Sequence, residues 1–368
     1  MYVDLWAWFR QYELQALLRQ DLRRRRLVTL ARDGWRQREL ADADQAIRCF
    51  EEGASLATEL NEPCWVIFHQ YWVAEMLFYL KHDYQGTLDY IVRLTAESRK
   101  PIYQDCPVLS RVFFVLANIY YMIDFYRYEE QIVELLDHIE QQVMMDEDTH
   151  LRVLHMRAQI EYEHERYAQA LDITQDMLNR SQDNDFRQRS GYHMLRAVTY
   201  AQGDVAQALD YAHIAEQHAH VIQVQRSIAE GRLWMAVYQQ RLGLIDNARA
   251  SYQSALDYYQ RYRLPREVTY HDASAEYHEL LGDIQTALTL RLTLIEQTAG
   301  NISLYNQMSA HWQYCRLLGR LGHALDEALA DARALSTQMS KPQAYLHKIK
   351  AIENGAYWEF DWQKPDST

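Results

Sequence analysis

Apolar and polar positions along this chain return in the same order every 38 to 44 residues, phased by Ala46, Thr87, Gln131, Ala170, Ala208, Ala248, Ala287 and Ala328. Three residues before each phase position stands an anchor: Ala43, then Tyr84, Tyr128, Tyr167, Val205, Ile245, Ile284 and Leu325. Four and seven residues after it come further inward positions, such as Phe50 and Gly53, or Tyr252 and Ala255. Spacings of three and four put all of these on one face of a helix. A compact residue at the phase position lets two helices of a hairpin approach closely, and a bulky one would hold them apart.

Turn signals precede the anchors, clearest at Gly203-Asp204, Gly243-Leu244 and Gly282-Asp283. Glycine supplies the left-handed conformation that ends a helix, and aspartate caps the next one. Each unit therefore reads as helix, short turn, helix, linker. One unit cannot bury its apolar face alone, so neighbours must stack. The predicted units are 14–62, 63–101, 106–146, 149–183, 186–222, 225–262, 265–299 and 302–340, in one domain over 1–368. A capping helix at 341–362 and a frayed tail at 363–368 complete it. Aromatic-rich ends close the stack: Leu5, Trp6, Trp8, Phe9 and Tyr12 at one, Tyr345, Tyr357, Trp358, Phe360 and Trp362 at the other.

The phrases Glu165-Arg166-Tyr167-Ala168-Gln169-Ala170-Leu171, Gly203-Asp204-Val205-Ala206-Gln207-Ala208-Leu209 and Gly282-Asp283-Ile284-Gln285-Thr286-Ala287-Leu288 resemble the tetratricopeptide repeat. The period exceeds the usual length of that repeat. In this it is similar to the sensor region of MalT-like bacterial regulators and to kinesin-light-chain-type repeats. HEAT repeats share the period without the Gly-Asp turn. The resemblance implies an all-α fold, a right-handed α-α superhelix of eight helical hairpins. It also implies a non-catalytic protein–protein interaction scaffold, or a ligand- or peptide-sensing regulatory module.

In that architecture the first helix of each pair lines a concave surface. Phasing each unit from its marker places His69, Trp72, Tyr79 and Tyr120 there first. A polar cluster follows: Asp124, Arg152, His155, Gln159, Tyr162, Glu163, His193 and Tyr200. An acidic stretch comes later, with Glu230, Asp272, Glu276 and Glu279 around Arg241. Donors, acceptors and a cation on rigid helices suit another protein, a peptide or a small polar ligand. No Lys or Asn falls on this face, so the carboxylate clamp of tetratricopeptide chaperone adaptors is not expected.

Composition agrees with long helices, since 12 Gly and 6 Pro in 368 residues are too few for a turn-rich β fold. The net charge of −13 disfavours nucleic acid as a partner. Arg23, Arg24, Arg25 and Arg26 form a local basic run, read as a solvated helix face. Cys49, Cys64, Cys106 and Cys315 lie far apart in sequence, which excludes a C-x-x-C motif and predicts buried free thiols in a reducing cytoplasm. The chain shows neither a secretory leader at Met1 nor an apolar run of membrane-spanning length, so no membrane insertion is expected.

Motifs for chemistry are missing: no phosphate loop, no G-x-S-x-G and no H-E-x-x-H occurs. His213, Glu216 and His220 share a helix face but read as a polar stripe rather than a metal site, and Asp146, Glu147 and Asp148 read as a solvated linker. No cofactor or catalytic residue is expected.

Overall fold

The computed structural model describes residues 4–40, 42–81, 83–141, 145–299, 304–339 and 342–357. It divides into two compact units, 1–153 and 154–368. The first contains α1 (Leu5–Leu18), α2 (Leu22–Glu39), α3 (Ala43–Glu59), α4 (Pro63–Tyr79), α5 (Tyr84–Ser98) and α6 (Leu109–Gln141). Helix α7 (Glu147–Glu163) crosses the division and pairs with α8 (Tyr167–Arg180). The second unit continues through α9 (Asp185–Ala201), α10 (Val205–Val221), α11 (Gln225–Arg241) and α12 (Ile245–Arg261). It ends with α13 (Val268–Leu280), α14 (Ile284–Thr298), α15 (Leu304–Arg320), α16 (Asp326–Ser336) and α17 (Pro342–Glu353). Within each unit successive helices pack as antiparallel hairpins against their neighbours, the tetratricopeptide-like arrangement.

Ala46, Thr87, Ala170, Ala208, Ala248 and Ala287 are fully buried, and Ala328 nearly so. Around Ala248 this seats Tyr200, Tyr238 and Tyr277 in one cluster with Ala208 and Met235. Gln131 departs from the expectation. It is exposed, and the buried position is the next residue, Ile132. The cause lies upstream: α6 contains the third hairpin with no glycine turn, only an extended residue at Asp124 whose carboxylate accepts the Arg127 amide at 3.3 Å. The second half of α6 starts from that bend, and its inward face is Ile132, Leu135, Leu136 and Ile139.

Several other turns follow the predicted chemistry, although Glu165 takes the left-handed place before α8 and Leu244 opens α12 without a side-chain cap. Gly203, Gly243, Gly282 and Gly322 all hold positive φ, the left-handed conformation glycine adopts without steric cost. Asp204 then accepts the Gln207 amide at 3.0 Å, and Asp283 the Thr286 amide at 3.3 Å, as helix caps. At the amino end α1 packs one face inward, while Trp6, Leu14, Leu17 and Leu18 are exposed. Phe9 of α1 stacks near Trp35 and Trp65, with ring centres 5.1 and 5.3 Å away. On α17, Tyr345, Ile349 and Ile352 are buried against α15 and α16. Trp358, Phe360, Trp362 and the tail at 363–368 lie outside the described residues.

Two expectations are corrected. The basic run is not merely solvated: Arg23 pairs with Glu59, Arg24 with Glu62 at 2.7 Å, and Arg26 with Glu52 at 2.9 Å. These pairs stitch α2 to the acidic face of α3 and to the residue that opens α4. Cys64 and Cys106 are not free thiols but form a disulfide, with Cα atoms 4.9 Å apart. It ties the first turn of α4 to the segment entering α6. Their 42-residue separation hid the pairing from any spacing motif. Cys49 and Cys315 are free and buried, as expected.

Two outcomes follow. Ala248→Leu should cost about 1–3 kcal/mol in urea unfolding by overpacking, whereas Gln131→Leu, at an exposed phase position, should stay within about 0.5 kcal/mol. Reduction of the disulfide, or Cys64→Ser, should lower stability by about 2–4 kcal/mol, given the 42-residue loop it closes.

Candidate functional site

The predicted face is split between the two units, and the first-unit part is largely core. His69 is fully buried, its ring pressed on Gly53 so closely that a Cβ there would fall 2.3 Å from it. Phe50, Trp65 and Phe68 surround the imidazole. Burial, offset in small part by the Leu27 backbone, pushes its pKa down to about 3. Trp72 is buried between Trp35, Phe50 and Tyr71. Neither residue can meet a partner, which corrects their assignment to the binding face. The α4 helix is apolar on nearly every side, so its pattern could not say which residues face outward. Tyr79 is exposed and accepts the Asn118 amide at 3.1 Å, and Tyr120 stacks on Tyr128 at 4.3 Å. Asp124 is buried at the α6 bend.

Arg152 belongs to a buried charge network. It reaches Asp148 at 3.0 Å and Glu75 at 3.7 Å, while the Tyr71 hydroxyl donates to Glu75 at 2.8 Å. Arg111 grips Asp146 through two bonds of 2.8 and 3.1 Å. Asp146, expected in a solvated linker, is instead a buried anchor that also caps Thr149. Two guanidinium groups against three carboxylates make a closed set in which each charge has a partner.

The second unit presents the first helices of its pairs, α7, α9, α11, α13 and α15, as one lining. They enclose a cavity of about 200 Å³ bordered by Tyr162, Arg196, Tyr200, Trp234, Tyr238, Asp272, Glu276 and Gln313. Glu276 is its hub. The Tyr200 hydroxyl donates to this carboxylate, and Arg241 bonds it at 2.6 Å while lying over the Tyr200 ring. Burial alone would push the Glu276 pKa up, but Arg241 and Tyr200 outweigh it and hold the carboxyl below its ordinary value. Asp272 is held by Arg291, and Glu279 by Arg320. Arg196 lies over the Trp234 ring at 5.1 Å.

Tyr162 and Tyr200 border the cavity together with Asp272 and Glu276 from the acidic stretch. Gln159 and Glu163 stand half-buried on α7. His155 and His193 face a cluster of arginines. Burial, then Arg187 and Arg189, pushes the His155 pKa down to about 4; burial, then Arg196, Arg189 and His155, lowers that of His193 well below its ordinary value. Glu230 is occupied by Arg226 at 2.8 Å, and Glu216 of the histidine stripe by Arg232 at 2.6 Å. The phasing missed Arg196, Trp234, Tyr238 and Gln313. Spacing could have found Arg196, which stands three residues after His193 and four before Tyr200, on the same helix face. Chemically the cavity offers aromatic faces, one guanidinium and two neutralised carboxylates.

No protein-family model matches this chain, and no curated protein matches it by sequence. Solved structures do. A Rap protein complexed with competence and sporulation factor is 11% identical, with a TM-score of 0.57 over 89% of this chain and 99% of that one. A signal transduction ATPase with numerous domains and a tetratricopeptide repeat sensor, from Pyrococcus horikoshii, is 14% identical with a TM-score of 0.42 over 86% of this chain and 50% of that one. The fold is therefore an all-α, tetratricopeptide-like helical repeat.

The buried imidazole has a pH consequence. His69 takes up a proton near pH 6.5 when unfolded but only near 3 when folded. Its contribution is fully present above the unfolded value and is lost as the pH falls below it. Between pH 7 and 5 the urea-unfolding free energy should fall by about 2 kcal/mol on its account, a component that His69→Leu should remove.

Proposed function

We propose that this protein is a non-catalytic protein-interaction scaffold whose second unit holds a segment of another protein on the face formed by α7, α9, α11, α13 and α15. The observation that carries this reading is the cavity of about 200 Å³ bordered by Tyr162, Tyr200, Trp234 and Tyr238 with Arg196 among them. Aromatic and arginine side chains dominate binding energy at protein interfaces, because they bury large areas at low entropic cost and keep a polar handle. Helices fixed by a packed core present these groups without reordering, which lowers the cost of association.

A second reading has one supporting observation. The Rap structure of the same fold is complexed with competence and sporulation factor. In that reading the present chain is a ligand- or peptide-sensing regulatory module, and occupancy of the cavity decides whether a partner is held. Both readings place the partner among proteins or peptides, with a small polar ligand as the trigger in the second.

Affinity capture from the native host with the intact chain, compared with Trp234→Ala and Tyr162→Ala, is the decisive experiment. A stoichiometric partner held by the unaltered chain should be lost by about tenfold or more in Trp234→Ala, the scale for truncating a buried aromatic anchor. Equal recovery with both variants would move the binding surface elsewhere. A ligand that raises the melting temperature of the unaltered chain, but not of these variants, would favour the sensor reading.

A further inference from the structure

Among the described residues, two arginines of α9 lack the acidic partners that other arginines of the second unit possess. Arg241, Arg291 and Arg320 each meet a carboxylate. Arg189 and Arg196 do not: among the described residues no carboxylate stands within ion-pairing distance of either. The Arg189 guanidinium donates to the Ser227 hydroxyl, and its buried Nε has no partner. The Arg196 Nε is likewise buried and unpartnered, while the guanidinium lies over the Trp234 ring and also bonds the Tyr238 hydroxyl. On α7, the buried His155 Nδ1 is also without a partner. Residues 189, 193 and 196 are spaced by four and three, so Arg189, His193 and Arg196 share one face of α9.

Desolvated cations raise each other's cost. Arg189 is pushed below its ordinary pKa by burial and by Arg187, with only Glu230 opposing. Glu230 is already engaged by Arg226, and Arg226 also pairs with Glu267 at 2.6 Å. In a chain of net charge −13, a half-buried basic cluster with idle donors stands out from the surface around it. A partly desolvated guanidinium left without a counter-charge is destabilising, so such a cluster persists where an anion completes it.

We propose that Arg189, His193 and Arg196 of α9, with His155 of α7, form a carboxylate-binding site that takes the acidic side chains of a partner segment. This rests on the scaffold reading and specifies its partner: an acidic peptide segment with an aromatic residue beside the acid, which the ring of Trp234 or Tyr162 receives. Of the four basic residues, Arg196 borders the cavity; Asp272 and Glu276 border it too but are neutralised by Arg291 and Arg241, so they do not repel an incoming carboxylate. The Arg196 guanidinium, over the Trp234 ring, carries a planar fork suited to two parallel bonds to one carboxylate.

The test uses the intact chain and three fluorescently labelled peptides read by polarisation. The first alternates glutamate and tyrosine and has an amidated end. The second replaces every glutamate by glutamine and is also amidated. The third is that glutamine peptide with a free terminal carboxylate. The first should bind about tenfold or more tighter than the other two, and Arg196→Gln and Arg189→Gln should each remove about tenfold of that affinity. Arg25→Gln, exposed on α2, should leave it unchanged. Where a glutamine variant loses its melting transition, Arg196→Lys replaces it, and loss of the bidentate fork should still weaken binding severalfold.

Equal binding of the first two peptides would overturn the carboxylate site while leaving the scaffold reading intact. Preference for the free terminus would reassign the cluster to a chain end and overturn the proposal as stated. Saturation by inorganic phosphate with no retention of the acidic peptide would make it a small-anion site, again overturning it. If none of the peptides binds and affinity capture also recovers no partner, both this proposal and the scaffold reading fall.

Discussion

The structure depends on how closely two helices can approach at one position per hairpin. Ala46, Ala170, Ala208, Ala248 and Ala287 have no accessible surface, and Thr87 in their place keeps its hydroxyl on the Asp83 carbonyl at 2.6 Å. These positions carry a methyl group, or at Thr87 a 1-hydroxyethyl group, and nothing bulkier. Close approach brings the larger residues one turn away into register across the hairpin, and Tyr200, Tyr238 and Tyr277 pack into one cluster as a result. The cavity lining is downstream of this, since Tyr200 and Tyr238 of that cluster also border the cavity.

That constraint also explains what the sequence showed and where it was silent. The spacing of small residues is local and periodic, so the hairpins, their order and most turns could be read directly. At Asp124 the turn is made by one extended backbone residue, which has no composition signature, and the phase moved by one position to Ile132. His69 looked like a polar groove residue because polarity implies exposure only on average. Its burial depends on Gly53 from another helix, which phasing within a single helix does not see. The disulfide and the Arg111–Asp146 anchor failed for the same reason, being pairings across 42 and 35 residues.

In the candidate site, residues on the predicted helices were found, but not those one turn away. Tyr162 and Tyr200 border the cavity, and Arg196 and Trp234 border it too, one helical turn along or on the next helix. A repeat period near forty leaves longer helices than the usual unit. A single phase reference at the turn therefore defines the face well near the turn and loosely at the far end.

The ion pairs of the second unit differ from one hairpin to the next. Arg241 of α11 meets Glu276 of α13, Arg320 of α15 meets Glu279 of α13, and Arg291 of α14 meets Asp272 of α13. Apolar contacts in repeats of this kind are nearly interchangeable, but these contacts are addressed by position. Deleting or duplicating one hairpin through unequal recombination would strand a buried arginine or carboxylate at the seam, at a cost of several kcal/mol. Around α13 the order of hairpins is therefore protected against the copy-number drift to which uniform repeat arrays are open.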